Sequence, residues 1–205
     1  PDHRRPGRRQ MNTRQSAAGE RRIPNALTIA GVDPSGGAGI LADVKAMSAL
    51  GAYGCAVIAA LTAQNTQGVT GISPVPPDFV GLQIDTLFTD VRIDAVKIGM
   101  LGQKPVIQVV AEKLAKWAPA HVVLDPVMVA KSGDLLLERE AVGAMREAML
   151  PQATLLTPNL PEAGVLLEER PVETVKEMRR VAERLRNKMA HSGQRWVMVK
   201  GGHLP

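Results

Sequence analysis

From Ile23 onward, short unbroken apolar runs alternate with stretches in which apolar residues recur every three or four positions. Residues 26–30 (ALTIA) read as a buried strand that ends at Gly31, and Ile40, Val44 and Met47 then fall at helical spacing. Residues 55–62 (CAVIAALT) form the second strand, after which Pro77 opens a helix carrying Val80, Ile84 and Leu87 on one face. Ala95–Ile98 precedes a helix over Lys104–Trp117 with Val106, Val109, Val110, Leu114 and Trp117 inward. Residues 121–124 precede a helix near 138–149, and residues 154–157 lead to a short helix over 161–167. A helix near 172–189 feeds the last strand, residues 196–200. Strictly alternating strands and helices require crossover connections, so the pattern predicts an α/β fold: a mostly parallel open sheet with helices on both faces.

Ligands of such sheets bind outside the carboxyl ends of the strands, which directs attention to the residues that end each run. These are Gly31 and Asp33; Thr62, Gln64 and Asn65; Gly99 and Met100; Asp125; Thr157 and Asn159; and Lys200, Gly201 and Gly202. One sheet edge is expected to carry the chemistry. The last strand would normally feed a further element, yet only His203, Leu204 and Pro205 follow its glycines, so the chain is expected to be a domain whose last part is missing.

Composition narrows the function classes. At 45% hydrophobic and 22% charged residues, the chain has the make-up of one globular domain, assigned to residues 23–205. The net charge of +5 suggests a nucleic-acid partner until it is located. Residues 1–22 hold seven arginines against Asp2 and Glu20, which accounts for all of it, and the remainder is neutral. That segment is expected to be a disordered basic leader, with a targeting or RNA-binding arm as the alternative. No run is long and apolar enough to span a bilayer, and a single Cys55 cannot form an intrachain disulfide, which together suit a cytoplasmic protein. His121, His191 and His203 show no metal-ligand spacing.

The turn from Gly31 to Gly39 (GVDPSGGAG) offers two nucleotide motifs, and both fail on what should accompany them. A Walker loop requires Gly-Lys-Ser/Thr for phosphate and Mg²⁺, which Gly36-Gly37-Ala38 does not supply. Residues 37–42 fit G-x-G-x-x-A, but Gln64 stands where a dinucleotide fold needs an acid for the ribose. What remains is a side-chain-free turn at a helix N-terminus, able to receive an anionic ligand through free N–H groups or to serve as a plain strand-to-helix turn. Asp125 before Pro126 suits Mg²⁺ through water, or else a local cap. Glu162 near Asn159 is a second candidate acid, or a dipole-complementing residue. Lys200 beside two glycines can meet phosphate or face solvent. The Gln64 amide suits an aminopyrimidine edge or a satisfied loop. Cys55 reads as core.

Taken in order, NALTIAGVDPSGGAGILADVKAMSALGAYGCAVIAALTAQNTQGV, VKIGML, VVLDPVMVAKSGD, LTPNLPEA and VMVKGGH resemble the bacterial hydroxymethylpyrimidine/phosphomethylpyrimidine kinases of the ribokinase-like superfamily, enzymes of thiamine biosynthesis. The resemblance covers the chain from Asn25 on. It implies ATP- and Mg²⁺-dependent phosphorylation of 4-amino-5-hydroxymethyl-2-methylpyrimidine and then of its monophosphate, by a homodimer. It also implies that Gly31, Asp43, Gln64, Met100 and Val127 line the pyrimidine pocket, that Asp125 and Glu162 serve Mg²⁺ and phosphates, and that Asn159 and Lys200 lie on the ATP side. The family's Gly-Thr-Gly-Cys anion hole does not occur in this sequence and is expected to lie beyond Pro205. Without it the chain is expected to be inactive alone. A pyridoxal kinase, a non-catalytic pyrimidine-binding domain and a dinucleotide oxidoreductase are the competing readings.

Overall fold

The computed structural model describes residues 22–128, 139–189 and 193–202. The leader up to Arg21, the whole AKSGD stretch, His191 and the last three residues, His203 to Pro205, lie outside the described residues. Among the described residues seven strands form one sheet: β1 (Asn25–Val32), β2 (Tyr53–Gln64), β3 (Val69–Pro74), β4 (Ala95–Ile98), β5 (Val122–Leu124), β6 (Leu155–Leu156) and β7 (Trp196–Val197), in the order β3-β2-β1-β4-β5-β6-β7. All pairings are parallel except β2 with β3.

Between the strands lie α1 (Gly39–Ala49), α2 (Pro77–Phe88), α3 (Lys104–Trp117), α4 (Arg139–Ala144), α5 (Leu160–Leu167) and α6 (Val175–Lys188). Along β1, Leu27 and Ile29 enter the main core with Val80 and Ile84 of α2 and Val106 and Val110 of α3. Thr28, of opposite pleat, instead bonds to Asp43 of α1. Side chains alternate across a strand, so α1 covers the face opposite to α2 and α3. Cys55 is buried in this core, where loss of hydration pushes its thiol pKa up.

Three expectations change. Residues 69–74 pair antiparallel with β2 as a hairpin arm that the hydrophobic pattern does not announce, because β3 is exposed on nearly all its positions and carries Gly71 and Pro74. The helix expected over 138–149 is α4 followed by a π turn, Met145–Met149, and a 3₁₀ turn, Leu150–Gln152. Pro151 lacks the N–H that a continuing α-helix needs there. The last strand is shorter than 196–200, and Lys200 rejoins the sheet by an isolated bridge to Asn159.

Candidate functional site

After β1 the chain winds outward to β2, and after the hairpin arm it crosses to β4 on the other side, so the crevice between the carboxyl ends of β1 and β4 is the switch point of the sheet. Ladder bonds carry the strands to a common rim: Gly99 N–H donates to Ile29 O at 3.0 Å, Asp125 N–H to Ile98 O at 2.9 Å and Thr157 N–H to Leu124 O at 2.9 Å. At the switch point Gly31 and Met100 touch. A Cβ on Gly31 would stand 2.8 Å from Met100 Cε, so the glycine makes room for the thioether.

The Gly31 to Gly39 turn is not open to an anion at the N–H groups expected to be free. Asp33, buried at its head, accepts Ser35 N–H at 2.8 Å and Ser35 Oγ at 2.7 Å on Oδ1, and Gly37 N–H at 3.2 Å and Ala38 N–H at 2.9 Å on Oδ2. Four donors saturate the carboxylate, which supplies the negative charge itself. The Ser35 hydroxyl first, then the backbone N–H groups, hold its pKa below the ordinary range despite burial. Gly39 closes the turn at φ +59°, with Gly31 O only 2.3 Å from where a Cβ would be. Only glycine fits.

Asp43, on α1, accepts the Thr28 hydroxyl at 2.6 Å and the Lys97 ammonium at 2.7 Å, both on Oδ2. Gln64 ends β2 with Oε1 3.1 Å from the Thr62 hydroxyl, whose shorter bond, 2.7 Å, runs to Val32 O. Val127 follows Pro126 in a tight turn, its N–H donating to Asp125 O at 2.8 Å. Gly31, Met100, Gln64, Asp125 and Val127 therefore all occupy the rim, and Asp43 reaches it from the α1 side through Lys97.

Across the sheet, Lys200 donates to Asp125 Oδ1 at 2.7 Å and the Thr157 hydroxyl to the same oxygen at 3.2 Å. Asn159 and Glu162 form a capping box at the start of α5, Asn159 N–H donating to Glu162 Oε2 and Glu162 N–H to Asn159 Oδ1, each at 2.8 Å. Glu162 is only 3% exposed. Burial pushes its carboxyl above the ordinary range, the Asn159 and Met128 N–H groups and the Lys200 charge pull it back, and the nearby Asp125 charge adds to the rise.

Among the described residues no three His, Cys, Asp or Glu side chains converge as a metal cluster. Two neighbouring carboxylates, with no donor on Asp125 Oδ2 among the described residues, fit Mg²⁺ that keeps its waters and shares phosphate oxygens, rather than a protein-caged ion. Sequence reasoning missed Asp33 as the turn's own anion, and missed Lys97 and Thr28; Thr157 it placed on the edge without a role. A lysine inside the otherwise apolar β4 is the signal that would have found Lys97.

Known proteins share this sequence and fold. The family model described as phosphomethylpyrimidine kinase matches residues 33–205. The chain is 55% identical over 180 residues to hydroxymethylpyrimidine/phosphomethylpyrimidine kinase of Escherichia coli (strain K12), covering 88% of this chain and 66% of that protein. It thus spans just under two thirds of that relative's length. The crystal structure of phosphomethylpyrimidine kinase from Clostridium difficile 630 superposes with a TM-score of 0.82 at 42% identity, over 88% of this chain and 76% of that one. Pyridoxal kinase from Staphylococcus aureus in complex with AMP-PCP and pyridoxal superposes with a TM-score of 0.76 at 32% identity, over 88% and 63%. No helix among the described residues is long and apolar enough to cross a membrane.

Proposed function

Because the chain belongs to the phosphomethylpyrimidine kinase family, we propose that its rim serves transfer of the γ-phosphoryl group of ATP to the hydroxymethyl of 4-amino-5-hydroxymethyl-2-methylpyrimidine, and then to the monophosphate. The observation that carries this reading is the division of the rim. Gly31, Met100 and Gln64 present uncharged groups at the switch point, whereas Asp125, Lys200 and Glu162 gather charge across the sheet. A neutral heterocycle fits the first and a polyphosphate the second.

The ring lies against Gly31 and Met100, with Val127 beside it and the Gln64 amide meeting a ring edge. Asp43 accepts an N–H of the pyrimidine. Lys200, held at 2.7 Å from Asp125, has to turn from that carboxylate to an arriving phosphate, so Asp125 keeps the ammonium at the rim until the nucleotide comes. Asn159, anchored by its capping box, lines the ATP side. Asp125 and Glu162 would hold Mg²⁺ through water, and the ion would supply neutralisation of phosphate charge. The pyridoxal kinases among the solved relatives favour one other acceptor, pyridoxal.

The test is ADP release from ATP by the protein expressed from its complete reading frame, with each compound as acceptor. Pyrimidine-dependent turnover is expected. Preference for pyridoxal, or pyrimidine binding without turnover, overturns the reading.

A further inference from the structure

Lysine is rarely found on the face of a central strand in a parallel sheet unless something pairs it. Lys97 occupies such a place: β4 lies between β1 and β5, and Lys97 stands in register between Thr28 and Val123. Its side chain and that of Asp43 are each about one fifth exposed (23% and 19%). The ammonium is not spread over the Asp43 carboxylate. It joins the fully buried Thr28 hydroxyl on Oδ2, at 2.7 and 2.6 Å, and among the described residues no donor reaches Oδ1.

The path of the side chain is equally specific. A Cβ on Gly99 would lie 3.0 Å from Lys97 Nζ and 3.0 Å from Ala30 Cβ, so the ammonium runs over Gly99 towards the carboxyl end of the strand. One residue further, Met100 meets Gly31. Lys97 therefore brings its charge, and the carboxylate bonded to it, up to the switch-point crevice.

We propose that Lys97 is a positioning residue: with Thr28 it fixes Asp43 by Oδ2 and leaves Oδ1 as the acceptor for the exocyclic amino group of the pyrimidine. This rests on the aminopyrimidine reading of the rim. A carboxylate only accepts, the neutral substrate has two donors, its amino group and its hydroxyl, and the hydroxyl is needed on the phosphate side. Lys97 thus acts on specificity through Asp43, without touching the ring.

Calorimetric titration of the same protein used for the turnover assay, with 4-amino-5-hydroxymethyl-2-methylpyrimidine and with its analogue lacking the amino group, tests this. The wild type is expected to favour the amino compound by at least about tenfold, the scale of one hydrogen bond to a charged group. Lys97→Met should erase most of that preference while leaving the analogue's affinity unchanged. Lys97→Arg should restore part of it, and Thr28→Val, nearly isosteric, should reduce it by a few fold. In the Asp43→Asn background Lys97→Met should cost nothing more. Equal loss for both ligands, an intact preference in Lys97→Met, or additive losses with Asp43→Asn overturn the positioning role. A wild type that binds neither pyrimidine overturns the functional reading and the inference with it.

Discussion

Asp85 and Asp125 are both aspartates met by lysine, yet their carboxylates are used in opposite ways. On α2, Asp85 receives Lys113 at 2.8 Å on Oδ2, and Trp117 at 2.7 Å and Lys116 at 3.0 Å on Oδ1, so both oxygens are committed to tying α2 to α3. At the rim, Asp125 takes Lys200 and Thr157, among the described residues, on one oxygen only. Asp33, with four donors on two oxygens, sorts with Asp85; Asp43, with two donors on one, sorts with Asp125. A carboxylate has about four acceptor sites. One whose donors use both oxygens fixes the fold, and one held by a single oxygen is oriented while keeping capacity for a ligand.

The sharpest way to break that distinction is to neutralise one member of each class. Asp125→Asn is expected to lower phosphoryl transfer by about 10²- to 10³-fold, with little change in the urea midpoint, since Lys200 is partly exposed and can turn to water. Asp85→Asn is expected to leave turnover within about twofold and to cost about 1 kcal/mol of stability, discounted for the solvent that still reaches the pair. Turnover assays beside urea unfolding read both. A larger turnover loss in Asp85→Asn than in Asp125→Asn would end the comparison.

Gly39→Ala comes next, because it attacks the geometry that saturates Asp33. At φ +59° and with Gly31 O at 2.3 Å from the new Cβ, the start of α1 has to move. The cost is expected to be about 3 kcal/mol in urea unfolding. Pyrimidine affinity should fall with it, since the displaced carbonyl belongs to Gly31. A stable Gly39→Ala protein would show that the turn is not built around Asp33.

What local pattern can and cannot convey follows from these sites. Ala95–Ile98 and Lys104–Trp117 were legible to the residue, because burial on one or both faces imposes a period on the sequence. β3 imposes none, being open to solvent, so its pairing with β2 leaves no trace in the apolar pattern. The glycines of residues 31–39 announced a tight turn but not the fold-back of Asp33, which depends on backbone N–H directions rather than residue types. Asp85 meets partners 28 to 32 positions away, and Lys97 meets Asp43 across 54, separations that no periodicity spans. The strand-end rule located Asp125 and Lys200 on one edge; that they bond to each other, through one oxygen, required the fold.

The smallest effect, and the finest test of the two classes, is pH. The Lys113 ammonium first, then Trp117 and Lys116, hold Asp85 well below the ordinary carboxylate range of 3.8. Its folded pKa is depressed, so its stabilisation is complete above the unfolded value and is lost as pH falls through the folded one. Glu162 runs the other way. Burial raises its folded pKa above 4.5, so the folded state holds the proton more tightly, and stability declines as pH rises from 4.5 through the raised value. Glu162→Gln keeps the capping-box acceptor and removes the charge. Its stability relative to wild type should therefore rise with pH across that window and stay level below it, whereas Asp85→Asn should lose its disadvantage only in acid. Urea midpoints measured from about pH 3 to 7 give both slopes, and slopes of the same sign would place Glu162 among the carboxylates that hold the fold.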